Sequence, residues 1–192
     1  MQMTTPETPG TEGPPALLDQ LPGELLMWVL IISELLVFGA GLIIFLALRL
    51  TDPEGFAAAQ SHLHRAGAGL NTIVLVTSGW LAALAVTAAE AERRGRLRLL
   101  LALAALLGIV FLVVKGWEYA ELARAGIGYD SHRFFSFYYL LTGFHAAHVV
   151  AGVVLLGLVA GLARPRAMET GAAFWHMVDL VWVLLFPVVY LT

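Results

Sequence analysis

Five long apolar stretches dominate this chain of 192 residues and constrain its fold more than any other feature. A bilayer core about 30 Å thick is crossed by about 20 apolar residues in an α-helix. The five stretches meet that length, and lie at 24–50, 67–90, 97–123, 134–163 and 172–191. We therefore predict an all-α polytopic membrane protein, a bundle of five transmembrane helices in one domain covering residues 23–192.

The first 22 residues have a different composition from the rest of the chain. They are rich in Pro, Thr, Gly and acidic residues, and contain neither Lys nor Arg. A signal peptide would require a basic start and an apolar core, so residues 1–22 are expected to form a disordered tail. The chain has no cysteine, which excludes disulfides and thiolate metal sites, and its net charge of -3 gives no indication of nucleic-acid binding.

The arginines near the ends of the spans indicate the orientation in the membrane. Six of them, Arg93, Arg94, Arg96, Arg98, Arg164 and Arg166, lie between spans two and three or four and five. Four others, Arg49, Arg65, Arg124 and Arg133, lie at the opposite side. Because cytoplasmic loops carry the excess of basic residues, we expect a cytoplasmic N-terminus.

Ionisable side chains inside the spans are the candidate functional residues, because such groups are costly in a bilayer and usually face a partner. We expect a buried polar set made of Glu34, Lys115, Glu118, His145, His148, His176 and Asp179. Glu34 and one of the two histidines in span four have compatible depths, which predicts a hydrogen bond between them. Lys115 with Glu118, and His176 with Asp179, are three residues apart on one helix and so are neighbours.

Two other interpretations of the histidines are haem or metal ligation and proton transfer. Two haem-ligating histidines would come from different helices at matching depth, but the expected start of span five at residue 172 places His176 nearer the membrane edge than His148. A di-iron site would require Glu-x-x-His motifs, which the sequence lacks. A buried glutamate such as Glu34 could carry protons as well as form a structural contact.

Five motifs, in order, resemble subunit III of the haem-copper oxidases. They are ISELLVF, GLNTIVLVTSG, KGWEYAEL, LLTGFHAAHVVAG and FWHMVDLVWVLLFPVVYL. The long members of that family have seven spans, so this chain resembles the short type with five. Within the family, the segments FLVVKGWEY, FFSFYYLLTGFHAAHV and LLFPVVYL more nearly resemble the accessory protein of nitric oxide reductases.

The resemblance implies an accessory subunit in the inner membrane of a bacterium, without catalytic, cofactor-binding or metal-binding residues of its own. Haem, with copper or non-haem iron, would belong to a partner catalytic subunit, and membrane lipid would be the other contact. The expected parent complex is a nitric oxide reductase. A cytochrome c or quinol terminal oxidase is the alternative, and a self-contained haem-binding membrane cytochrome is the second alternative. The expected roles are assembly, stability or proton handling.

Overall fold

Helices account for nearly all of the computed structural model of this chain, which describes residues 25–162 and 165–192. The helices are α1 (Leu25–Thr51), α2 (Pro53–Gln60), α3 (Arg65–Glu90), α4 (Arg94–Arg124), α5 (Arg133–Leu162) and α6 (Pro165–Phe186), and a π-helical turn (Pro187–Leu191) follows α6. Within those ranges there is no strand, and five helices are long and apolar enough to cross a membrane. The prediction of an all-helical protein with five spans is confirmed; the tail, residues 1–22, lies outside the described ranges.

Four helices form the centre of the bundle, and α1 lies outside them. Along the chain α3, α4, α5 and α6 each pack on the next, and α6 also packs on α3, which closes the group. α1 contacts α5 and α6 and is the least buried of the five spans. Its outward face is therefore almost entirely apolar surface exposed to the surroundings of the bundle.

Trp175 holds the four central helices together near the middle of α6. Its ring lies against two glycines, since a Cβ at Gly108 of α4 would come within 2.7 Å of it and one at Gly152 of α5 within 2.5 Å. Its Nε1 donates to Ser78 Oγ of α3 at 3.1 Å, and Ser78 donates in turn to the carbonyl of Ala104 at 2.7 Å. Helix backbones approach closely where such small residues meet a large one.

Two boundaries differ from the sequence-based prediction. The short helix α2 was not predicted, although Asp52 caps it by accepting from the Gly55 N–H at 3.1 Å and Pro53 occupies its first turn. The fifth span begins at Pro165 instead of 172, because a proline is accommodated in the first turn of a helix, where its missing N–H costs nothing.

The aromatic residues at the α2 end of the bundle are mostly buried. An interfacial belt would leave them on the surface, yet Phe134, Phe135 and Tyr138 are at most 4% exposed. Phe134 packs against Phe56 of α2 with ring centroids 5.6 Å apart. These rings form a core layer under α2, whereas Trp117 remains 64% exposed, as a belt residue would.

Candidate functional site

Lys115 of α4 lies at the centre of the most extensive polar cluster inside the bundle. Its Nζ donates to Glu118 Oε2 at 2.8 Å, to Tyr190 Oη at 2.7 Å and to Tyr138 Oη at 3.1 Å. A lysine ammonium has three N–H donors, so each one has an acceptor. The side chain is only 2% exposed, and this full set of hydrogen bonds is what allows a charge to be buried there.

Aromatic rings surround the same ammonium group. Nζ lies 4.9 to 5.5 Å from the ring centroids of Tyr119, Tyr138, Trp182 and Tyr190. At that distance the faces of the rings attract a cation. Tyr190 is on the π-helical turn that begins at Pro187, and it also donates to Glu118 Oε1 at 3.0 Å. The cluster therefore ties the end of the chain to α4 and α5.

A polar cavity of about 370 Å³ connects this cluster to the surface at the α2 end. It is lined by His62, His64, Glu118, Glu121 and Arg124, among others. His64 Nε2 lies 3.2 Å from Glu121 Oε2, and both side chains are well exposed. Glu118, only 10% exposed, is thus the residue at which the surface cavity meets the buried cluster.

Glu34 of α1 faces His148 of α5 in the middle of the membrane-spanning region. Glu34 Oε2 lies 3.2 Å from His148 Nε2, and the two side chains are 24% and 16% exposed. This contact does not meet the geometry of a hydrogen bond, and Glu34 Oε2 has no other partner among the described residues. The structure thus brings the expected pair together at ion-pair distance, with His148 and not His145 as the partner.

The other ring nitrogen of His148 has a backbone partner. Nδ1 lies 2.9 Å from the carbonyl oxygen of Phe144, which can only accept, so Nδ1 is the donor. Nε2 is the ring nitrogen that faces Glu34.

His145 has a different environment from its neighbour. It is completely buried, and neither ring nitrogen has a hydrogen-bond partner among the described residues. Its ring stacks on Trp182 with centroids 5.2 Å apart and meets the edge of Phe111 at 5.6 Å. His145 is therefore packed as an aromatic ring between α4 and α6, with no polar contact to Glu34.

His176 contradicts the expectation of a buried residue. Its side chain is 47% exposed, and its Nδ1 lies 3.9 Å from Asp179 Oδ2, beyond hydrogen-bond distance. Asp179 is buried against Gly79 of α3, where any Cβ would collide with its carboxylate, and its Oδ1 has no partner within the described ranges. Since α6 begins at Pro165, His176 is about 16 Å along the helix and lies deeper than the sequence indicated.

With His176 deeper than expected, a mismatch in depth no longer argues against haem ligation by His176 and His148. The contacts of the histidines argue against it instead. His148 uses Nδ1 for Phe144 and directs Nε2 to Glu34, and His145 is enclosed by rings. Among the described residues no group of three His, Asp or Glu side chains is placed to hold a metal ion.

Sequence reasoning found Lys115 and Glu118 but missed the tyrosines that complete their cluster. Tyr138 is 23 residues from Lys115 and Tyr190 is 75 residues from it, so no local spacing indicates either contact. The available signal was the lysine itself: one buried ammonium needs three acceptors, and Glu118 alone does not supply them.

Comparison with known proteins identifies a family for this chain. Residues 23–192 match the family described as cytochrome c oxidase subunit III. The chain belongs to that family. A cytochrome c oxidase subunit 3 of Corynebacterium diphtheriae is 35% identical over an alignment of 174 residues that covers 84% of this chain and 84% of that protein. Another from Thermostichus vulcanus is 31% identical over 176 residues, covering 85% and 84%.

A fused relative is informative about subunit III partners. It is named heme-copper oxidase subunit I+III, from Aeropyrum pernix, and is 35% identical over 185 residues. The match covers 86% of this chain but only 22% of that longer protein. Subunit III of haem-copper oxidases generally has no cofactor of its own. None of these three relatives is named as part of a nitric oxide reductase.

Proposed function

We propose that this chain is subunit III of a terminal oxidase of the haem-copper type, an accessory subunit in the plasma membrane that packs against a catalytic subunit I. The observation that carries the proposal is the family match over the entire five-helix domain, residues 23–192. The fused I+III relative supports the choice of partner, since it joins the two kinds of subunit in a single chain. Haem and metal would then lie in the partner.

The geometry supports a role in assembly and stability. Lys115, Glu118, Tyr138 and Tyr190 satisfy one another inside the bundle, and Trp175 joins four helices, so these contacts hold the central helices together. Its outer faces are apolar and suited to lipid and to a membrane partner. The basic residues between α3 and α4 favour a cytoplasmic location for that end of the bundle and for the N-terminus.

The names of the relatives favour an oxidase over the nitric oxide reductase that the motif sequences suggest. A deletion strain separates these two parents. We expect membranes without this chain to retain the haem spectrum of the oxidase, but to lose oxygen consumption faster during sustained turnover. Loss of nitric oxide reduction, with oxygen consumption unchanged, would establish the reductase as the parent complex. Loss of haem itself would contradict an accessory role.

The contact between Glu34 and His148 favours a second role in proton handling. A mid-membrane carboxyl group next to an imidazole is an arrangement found in proton relays. Glu34→Gln keeps the shape of the side chain and removes the exchangeable carboxyl proton. Slower proton uptake by an assembled, fully loaded complex carrying Glu34→Gln would support this role. Unchanged uptake would leave the pair a structural contact only.

A further inference from the structure

His176 is the exception among the seven ionisable residues of the predicted buried set. The side chains of the other six are between 0% and 24% exposed, whereas that of His176 is 47% exposed. It is also far from either end of its helix, about 16 Å from Pro165 and about 15 Å from Phe186. An imidazole at this depth faces lipid unless another protein covers it.

Contact with lipid would be unfavourable for this side chain. Ionisable groups within spans almost always face a bundle interior, a water-filled cavity or a partner, because hydrocarbon cannot hydrogen-bond to them. Within the described residues, the nearest ion-pair contact of the His176 ring, Nδ1 to Asp179 Oδ2, is 3.9 Å long and therefore beyond hydrogen-bond distance. Its Nδ1 is turned toward Gly79 and Asp179, so the edge that carries Nε2 is the one available to a neighbour.

The surface around His176 has the form of a helix-docking groove. A depression of about 390 Å³ lies between α1 and α6 next to this residue. Its walls are mostly apolar, with Met27, Trp28 and Ile31 from α1 and Ala173, His176, Met177 and Leu180 from α6, and Glu169 and Thr170 add polar groups to the lining. The small Ala173 allows another helix to approach the α6 backbone closely.

We propose that this groove, centred on His176, is where a transmembrane helix of the catalytic subunit docks, with a hydrogen-bonding group opposite the imidazole. The inference rests on the proposed function, which supplies a membrane-embedded partner. The fused relative agrees with the choice of partner, because its name gives subunits I and III as one chain. An apolar helix would fit the mostly apolar walls of the groove, and one polar side chain or exposed carbonyl on it would hydrogen-bond to the His176 imidazole.

The absence of cysteine from the chain makes the location testable in the intact complex. Ala173→Cys and Leu180→Cys place a thiol on either side of His176. Leu106→Cys and Val113→Cys are matched controls, since these α4 residues are 53% and 65% exposed on a different helix. Each variant is labelled with a photoactivatable maleimide in the purified complex, and the adducts are identified by mass spectrometry. We expect adducts with the catalytic subunit from the α6 positions and not from the α4 positions.

Other outcomes would contradict either the location of the interface, the identity of its occupant or the proposed function. Adducts with the catalytic subunit from α4 alone would place the interface elsewhere while preserving the proposed function. Adducts between two copies of this chain, or with lipid only, at both α6 positions would reject the catalytic subunit as the occupant. Failure of any catalytic subunit to co-purify with the chain would reject the proposed function itself, and the inference with it.

A second measurement tests the hydrogen bond assigned to His176. His176→Ala should weaken retention of the chain in the detergent-solubilised complex by roughly three- to tenfold, which corresponds to about 0.6 to 1.4 kcal/mol for one membrane-embedded hydrogen bond. His62→Ala, an exposed histidine at the α2 end, is the control and should leave retention unchanged. Equal retention of both variants would contradict a hydrogen bond at His176.

Discussion

Replacing Lys115 by methionine should be among the most damaging single changes in this bundle. The substitution keeps an unbranched side chain of similar length but removes the ammonium that Glu118, Tyr138 and Tyr190 share. Three hydrogen bonds at about 0.6 kcal/mol each, the average measured inside membranes, give a lower figure of about 2 kcal/mol. Leaving the Glu118 carboxylate buried without its cation raises the figure to about 5 kcal/mol. We therefore expect a loss of about 2 to 5 kcal/mol in the free energy of unfolding.

Two further variants make this prediction specific to the buried pair. Arg98→Met removes an exposed cation near the other end of α4 and should change stability by no more than about 0.5 kcal/mol. Lys115→Met combined with Glu118→Gln removes both charges and leaves Tyr190 an amide acceptor, so the double variant should recover most of the loss. Unfolding by sodium dodecyl sulfate in mixed micelles, followed by tryptophan fluorescence, measures all three. A Lys115→Met loss below about 1 kcal/mol, or a double variant no more stable than the single one, would refute the reasoning.

Three other changes test separate contacts. Glu34→Ala should lower the stability of the bundle by about 1 to 3 kcal/mol, because it leaves His148 Nε2 without its polar partner; an unchanged thermal midpoint in detergent would count against that contact. Gly79→Ala should cost about 1 to 3 kcal/mol through a collision with Asp179. Gly157→Ala is its control, since that glycine has nothing within 4 Å, and equal midpoints for these two variants would show that Asp179 does not pack on α3 as described. Deleting the whole chain should reduce the yield of the parent complex while its haem content per catalytic subunit stays constant, as pyridine haemochrome spectra of the purified complex would show.

The spans were predictable because a bilayer imposes a minimum length that five apolar runs satisfy. The helix ends were harder to predict. α6 begins at Pro165, seven residues before the predicted 172. Glu169 and Thr170 have a composition typical of a loop, although they lie in the first turns of this helix. α2 had a readable signal in Asp52 and Pro53, which also mark the end of the preceding span. Helix-capping residues therefore indicate helix starts that hydropathy alone does not show.

The polar contacts were predictable only where depth or helical spacing determined them. Glu34 and His148 are at one depth on different helices, and Lys115 and Glu118 are three apart, so both pairs could be anticipated. Tyr190 reaches Lys115 because the chain forms a wider turn after Pro187, a geometry that no spacing rule gives. The exposure of His176 depends on how α1 and α3 lie beside α6, which is a property of the assembled bundle.

The most direct test of the accessory-subunit account is purification of the tagged chain from its native membranes. The account predicts that a haem-copper catalytic subunit co-purifies in equal amount, and that all of the haem absorbance follows that subunit when the complex is dissociated. A Soret band that stays with the isolated chain in stoichiometric amount, or a preparation without any catalytic subunit, would contradict it.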